Sequence, residues 1–211
     1  MKLLARLGAI VSIGLFAMFL VGASQAVAAG ETTLCKTNEK KCEAANQYGA
    51  TAFKWTATNT ELITAEGNIF CTKATFTNKT AVAAGTPLLG EIDAMAFETC
   101  TWKGLTCSVT AIGLSWKTEI TRMTNPDGKM KIVAAAGQPK LAFSCNGGKY
   151  KCVYGAETTV EVHGGNPAET VFKKQVLGFI KKEGEVNCPA MIEWSANYVA
   201  SAPTAVYVTE N

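Results

Sequence analysis

Residues 67–80, GNIFCTKATFTNKT, carry the reading of the fold. They enter through a Gly-Asn turn and continue as a run rich in β-branched and aromatic residues, the composition of a long strand. Cys71 sits in that strand with no other cysteine within 28 residues on either side. Whatever it bonds to comes from far along the chain, so this strand ties distant parts of one domain together.

Strand signals recur outward from there. Thr51–Thr58 puts Phe53 and Trp55 on one face by the two-residue period, and Glu61–Ala65 reads as a short strand leading into Gly67. Leu88–Cys100 carries apolar residues on both faces, as an interior strand does. Trp102-Lys103-Gly104 makes a turn, and Cys107–Leu114 returns from it. Ser115–Met123 and Lys129–Ala136 are joined by Asn125-Pro126-Asp127-Gly128, where proline presets one dihedral and glycine accepts positive φ. Lys140–Cys145 and Tyr150–Tyr154 flank Asn146-Gly147-Gly148, and Thr158–His163, Met191–Ala200 and Thr204–Glu210 complete the series. The stretch 167–182 supports two readings: Asn166-Pro167-Ala168-Glu169 resembles a helix start, yet Val171, Phe172, Val176, Phe179 and Ile180 suit a strand and Gly178 weakens a helix. Strand is preferred. About a dozen short strands with regular turn signals predict an all-β domain, a disulfide-clipped, sandwich-like pair of sheets.

The first residues read as an export signal. Lys2 and Arg6 precede an apolar run from Leu7 to Gly22 broken only by Ser12, and Ala26-Val27-Ala28 supplies small residues for cleavage. The run is short for a bilayer span, which needs about 20 residues. Cys35 follows Thr32-Thr33-Leu34, not the small-residue box of a lipidation site. The expected organisation is a signal peptide over 1–28 and a secreted β domain over 29–211, with a disulfide-closed segment at 29–50 and the main β body at 51–211. No membrane span is expected after signal removal. Losing Lys2 and Arg6 takes the 20 basic residues to 18 against 17 acidic, a net charge of +1. That near-neutral balance argues against nucleic acid as partner.

All eight cysteines lie beyond the signal, and an even count in an exported chain implies disulfides. Six residues separate Cys35 from Cys42, Cys100 from Cys107 and Cys145 from Cys152, leaving Cys71 and Cys188. Economy predicts three local bridges plus Cys71–Cys188. Short loops contribute about 2–3 kcal/mol each and the long one about 5 in the chain-entropy treatment. Zinc sites favour closer ligand spacing and are not expected. The segments AFETCTWKGLTC and AFSCNGGKYKC, starting at Ala96 and Ala142, share Ala-Phe, a cysteine, a glycine-bearing turn and a second cysteine seven positions on. Duplication and convergence on one clipped hairpin both account for this.

Residues for catalysis are scarce. His163 is the only histidine, Asp93 and Asp127 the only aspartates, and no Gly-x-Ser-x-Gly elbow is present. Glu157 with Glu161, and Glu91 with Asp93, are carboxylate pairs of the kind a glycosidase uses, although alternating charges on a strand ordinarily mark a solvated face. No phosphate loop, dinucleotide fingerprint, calcium loop or metal-spaced cluster occurs, so neither cofactor nor metal is expected. Asn78-Lys79-Thr80 fits a glycosylation acceptor. Trp102, between two cysteines beside Lys103 and Gly104, marks the candidate binding loop, because an exposed tryptophan on a rigid turn stacks on sugars or grips protein partners. Trp55, Trp116 and Trp194 are expected in the core or on the sheet.

The order of motifs is Gly67-Asn68-Ile69-Phe70-Cys71-Thr72 with Thr75-Phe76, then Phe97 and Cys100, Cys107, Phe143 and Cys145, Cys152-Val153-Tyr154, Asn187-Cys188-Pro189 and Ala196-Asn197-Tyr198. It resembles a large set of small exported β-rich actinobacterial proteins with no assigned activity. The resemblance covers nearly the whole exported chain and implies a secreted, disulfide-clipped β domain with strands over 167–182. It carries no catalytic residues. The reading is a non-enzymatic extracytoplasmic domain that binds a protein or glycan partner, or makes structural contacts, at or outside the envelope. Two rivals are a carbohydrate-active hydrolase using paired glutamates and a protease inhibitor presenting the Cys100–Cys107 loop.

Overall fold

A computed structural model describes residues 30–211 except 135 and 136; the expected signal peptide lies outside the described residues. The strands in chain order are β1 (Thr32–Cys35), β2 (Ala52–Ile63), β3 (Ile69–Thr80), β4 (Ala84–Gly85), β5 (Leu88–Trp102), β6 (Leu105–Ile112) and β7 (Trp116–Arg122). They continue with β8 (Gly128–Ala134), β9 (Lys140–Cys145), β10 (Tyr150–Gly155), β11 (Thr158–His163), β12 (Glu169–Lys182), β13 (Met191–Ala202) and β14 (Tyr207–Glu210). The anchoring stretch is β3, and the short strand expected at Glu61–Ala65 belongs to β2. The ambiguous stretch is β12, a 14-residue strand hydrogen-bonded along both sides.

Sheet closure sets the architecture. Strands β5, β3, β2, β13 and β12 form one continuous antiparallel wall. β5 is long enough to change partners: Leu88–Ile92 pairs with β7, whereas Cys100–Trp102 pairs with β6. β12 does the same, pairing through Glu169–Val171 with β11 and through Gly178–Lys182 with β10. Strands β7, β8 and β11 therefore close the ring at one end, and β6, β9 and β10 close it at the other. The result is all-β, as expected, but an eight-stranded closed barrel, not a two-sheet sandwich. Alternation of polar and apolar residues is common to both; the partner switches in β5 and β12 decide between them by joining the wall to a closing strand at each end.

Between the two ends the pleat slips by one residue. Thr58-Asn59 on β2, Thr72-Lys73 on β3, Glu98-Thr99 on β5 and Lys173-Lys174 on β12 each point two consecutive side chains outward. Inward positions consequently change parity, from Phe53, Trp55 and Ala57 to Thr60 and Leu62 on β2, and from Phe76 and Ala74 to Cys71 and Ile69 on β3. Left-handed φ values at Asn59 (59°), Thr99 (47°) and Lys174 (47°) accommodate the step. Asparagine tolerates that region readily; β-branched Thr99 is held there by pairing on its strand. Leu88–Cys100 is thus not uniformly two-faced: Leu88, Ile92 and Cys100 are buried while Leu89 is exposed.

Side chains fill the barrel. Trp55, Trp116 and Trp194 are buried, as expected, and Phe76 packs edge-on to Tyr198 at 4.9 Å and Phe172 against Trp194 at 4.3 Å. An apolar cavity beside Trp116, Ile132, Leu177 and Trp194 amounts to about 10 Å³, room for one water at most. Asn78 is buried and donates to Met130 Sδ while accepting from Thr118 Oγ1, so the folded chain does not offer it for glycosylation. On the outer wall Lys73 meets Glu98 at 2.8 Å, Lys117 meets Glu91 at 2.7 Å, Lys131 meets Glu157 at 3.0 Å, and Lys79 meets Asp93. Charge outside and apolar side chains inside is the reverse of a lipid-embedded barrel.

A disulfide-closed segment was expected over 29–50, its polar stretch Glu31–Tyr48 as a solvated loop or a short turn of helix; Ala44–Asn46 is such a turn. Cys35 and Cys42 are bonded, but Thr32–Cys35 is a fully buried strand paired with Tyr207–Glu210 and, at Thr32 and Thr33, with β4. Backbone pairing with the C-terminal strand overrides the polar composition there.

The other three bridges correct the expected connectivity. Cys71 bonds Cys100, Cys107 bonds Cys145 and Cys152 bonds Cys188, in place of Cys71–Cys188, Cys100–Cys107 and Cys145–Cys152. The hairpins themselves are as read: Cys100 lies opposite Cys107 across the turn. In the second hairpin Cys145 faces Tyr150 and Cys152 faces Phe143, so its cysteines are not opposite each other. In the first, the two-residue turn at Lys103-Gly104 explains the change. It makes Trp102 and Leu105 a hydrogen-bonded pair, so by alternation Cys100 and Cys107 form another, with side chains farther apart. On their other sides these cysteines fall in close, non-hydrogen-bonded pairs, with Cα–Cα distances of 3.9 Å to Cys71 and 4.1 Å to Cys145. The two similar segments are neighbouring hairpins joined through β6 and β9, and their cysteines bond sideways, not across their own turns.

Candidate functional site

The expected binding loop forms a tight turn. Lys103 and Gly104 occupy its centre with φ of 50° and 78°, the type I′ geometry that suits the twist of a hairpin. Trp102 is half-buried and stacks on Tyr150 at 4.9 Å, with Lys103 Nζ 4.7 Å over its other side. A Cβ on Gly67 would lie 3.4 Å from the indole nitrogen, so the β2–β3 turn also leans on it. The tryptophan thus packs over the barrel end, while Lys103 and Gly104 stay exposed at the tip. Protease clefts take inhibitor loops in extended form, and Lys103 is left-handed at the tip of a two-residue turn. The inhibitor reading therefore has no geometric support.

Nor do the carboxylates form a hydrolytic pair. Glu91, Asp93 and Glu157 are each engaged by a lysine on the outer wall, and Glu161 Oε2 lies 3.4 Å from His163 Nε2. A general acid needs a desolvated site that keeps its proton, and these groups face solvent. Asp93 and Glu157 serve instead to hold the Lys79 and Lys131 ammonium groups above their ordinary range, chiefly by accepting their hydrogen bonds. His163 lies between carboxylates: Asp127 Oδ2 is 3.5 Å from Nδ1, while Asp127 Oδ1 accepts from the Gly164 amide. The carboxylates sit on opposite edges of the ring, so they do not converge on one point. Among the described residues no group of three or more histidine, cysteine or acidic side chains is arranged to hold a metal, and all eight cysteines are bonded.

Side chains converge instead where the pleat slip crosses β13. A groove of about 350 Å³ runs over the wall there, lined by Asn59 and Glu61 from β2, Lys173 and Lys174 from β12, and Ser195 and Asn197 from β13. The local hydrogen bonds fix its shape. Ser195 Oγ accepts from the amide of left-handed Lys174, Glu61 Oε1 accepts from Asn68 Nδ2, and Asn197 Nδ2 donates to Glu169 at 3.1 Å. Phe70, directly opposite Glu61 on β3, is 51% exposed, and Val176, opposite Glu193, is 50% exposed. Both flank the groove with apolar surface. The arrangement offers amide, hydroxyl, carboxylate and ammonium groups beside an aromatic face, on β2 and β13 inside the wall and on the bulge of β12. It suits recognition by side chains, not addition of a strand.

None of the groove residues was singled out from the sequence as a binding residue; Asn197 entered only through the Ala196-Asn197-Tyr198 motif of the resemblance. They come from three strands that are adjacent only in the folded wall. The available signal was local: Thr58-Asn59 and Lys173-Lys174 interrupt an otherwise alternating pattern by placing two polar residues in succession. No protein family, no curated protein and no solved structure matches the chain.

Proposed function

We propose that the protein is a non-enzymatic extracytoplasmic binding domain that contacts a protein or glycan of the cell envelope through the groove around Asn59, Lys174 and Ser195. The observation that carries this reading is the coincidence of two left-handed, non-glycine residues, Asn59 and Lys174, with a polar groove flanked by exposed Phe70. Bulges that re-aim side chains are devices for building a surface, and a barrel tied by four disulfides holds that surface in place before contact, so little entropy is lost on binding. Such bridge density is typical of extracytoplasmic proteins, in keeping with the export signal and with the resemblance to exported actinobacterial proteins. The test is capture from an envelope fraction beside a glycan array, using wild type, Phe70→Ala and Asn197→Ala. Wild type should retain a partner that both variants lose by about tenfold, the scale of one lost contact near 1.4 kcal/mol. Equal retention by all three, or turnover of a glycan on the array, overturns the reading.

A further inference from the structure

Four cysteines stand in one lateral row across β3, β5, β6 and β9. Cys71 is opposite Cys100, Cys100 is opposite Cys107, and Cys107 is opposite Cys145. All four are buried on the inner face. The end pairs are bonded and the central pair is not, yet Cys100 and Cys107 are directly opposite, and the Cα spacing of a hydrogen-bonded pair, about 5.5 Å, is within the reach of a disulfide although the lateral pairs are closer. We propose that the row is a coupled thiol–disulfide unit in which Cys100–Cys107 forms first during oxidative folding and is then exchanged for the two lateral bridges.

Loop closure sets the order. Cys100 and Cys107 are 7 residues apart, against 29 for Cys71–Cys100 and 38 for Cys107–Cys145. Closure probability falls as roughly the three-halves power of loop length, which favours the central bond by about tenfold in the unfolded chain. The Lys103-Gly104 turn, local and preset by its left-handed residues, adds to that preference. Chemistry then proceeds along the row. A small-molecule disulfide takes two electrons from the Cys100 and Cys107 thiolates, making their bond and releasing two small thiols. As β3 docks, the Cys71 thiolate attacks Cys100 Sγ; the Cys71–Cys100 bond forms, the Cys100–Cys107 bond breaks, and Cys107 leaves as a thiolate opposite Cys145. A second disulfide molecule takes two electrons from Cys107 and Cys145 and makes the last bond. The exchange keeps every strand in register and ends in the close pairs.

The experiment oxidises the fully reduced chain with oxidised glutathione, traps it with iodoacetamide at intervals and maps the bridges by mass. Cys35–Cys42, also 7 residues apart, serves as the internal clock. Cys100–Cys107 should rise alongside it and decay as Cys71–Cys100 appears. Either lateral bridge forming ahead of Cys100–Cys107 overturns the proposal. A Cys71→Ser/Cys145→Ser variant gives a second readout: folded, it should carry the Cys100–Cys107 bond, and free thiols at both positions in the oxidised, folded variant also overturn it.

Discussion

The two walls that close the barrel are built on different principles. At one end β7, β8 and β11 contribute Trp116, Ile120, Met130, Ile132, Val160 and Val162 to the core and contain no cysteine. At the other, β6 buries Cys107 and Val109, β9 and β10 bury Leu141, Phe143, Tyr150, Val153 and Tyr154, and the wall also takes part in two of the three barrel disulfides, Cys107–Cys145 and Cys152–Cys188. One end rests on burial alone; the other adds covalent ties to a core of aromatic side chains. Small exported domains commonly use such ties; here they reinforce only one of the two closing walls.

The contrast breaks most readily at the wall without sulfur. Trp116 is 1% exposed and its indole N–H donates to the Ile112 carbonyl at 3.0 Å. Trp116→Ala should cost about 3–5 kcal/mol in urea unfolding, through lost burial, an unfilled cavity and an unpaired carbonyl. A cost under about 1 kcal/mol would mean that this wall does not rest on packing. At the opposite wall, Cys107→Ala/Cys145→Ala should cost about 2–4 kcal/mol. It should also leave amide protection on β7 and β8 intact while lowering it on β6 and β9. Uniform loss across both walls would show that they unfold as one unit and that the division is only compositional.

Much of this arrangement was legible in the residues. Lys140–Cys145 was bounded correctly by the Gln138-Pro139 break and the Asn146-Gly147-Gly148 turn, Thr158–His163 by alternation, and the strand at 167–182 followed from its β-branched and aromatic content in spite of a helix-like start. Barrel closure was not legible, because it depends on where β5 and β12 exchange one partner for another, and a strand's own pattern does not record its neighbours. The disulfides failed for a related reason. Spacing ranked partners by distance along the chain, whereas a sheet ranks them by lateral register, and the close pair for Cys100 lies on β3, not across its own turn. Asn59 and Lys174 were missed because a single polar residue out of phase looks like noise until the neighbouring strands slip at the same level, and Ser195, in phase on β13, joins them only in the folded wall.

A smaller effect tests what secures the packed wall to its surroundings. A Cβ on Gly164, at the end of β11, would lie 2.2 Å from the Pro126 carbonyl oxygen of the β7–β8 turn, and that oxygen also accepts from the Val208 amide. Backbone cannot yield there as a flexible side chain would. Gly164→Ala should therefore cost about 1–3 kcal/mol by overpacking, measured by thermal unfolding, whereas Gly104→Ala on the disulfide side meets no neighbour and bears only the penalty of its φ of 78°. If Gly164→Ala proves neutral, the turn and β11 are less closely joined than the packed wall requires.

The weakest tie belongs to the disulfide wall and is electrostatic. Glu183, in the connection after β12, takes Lys181 and Lys151 on its two carboxylate oxygens, and these hydrogen bonds, that from Lys181 foremost, hold it below its ordinary value of 4.5. A carboxylate with a depressed folded pKa contributes stability that is present above its unfolded pKa and disappears as pH falls through the folded value. Acidification from pH 6 to pH 3 should thus lower the thermal midpoint of the wild type more than that of Glu183→Gln, which has no charge to lose at this position. The difference should be small, since the carboxylate is exposed and salt screens the pair. Its sign is the informative part: an equal or larger acid loss in Glu183→Gln would mean that Lys151 and Lys181 do not act through Glu183, and that the Cys152–Cys188 bridge and the backbone bonds from Glu183–Val186 to Lys149 and Lys151 fasten the β12–β13 connection to β10 without it.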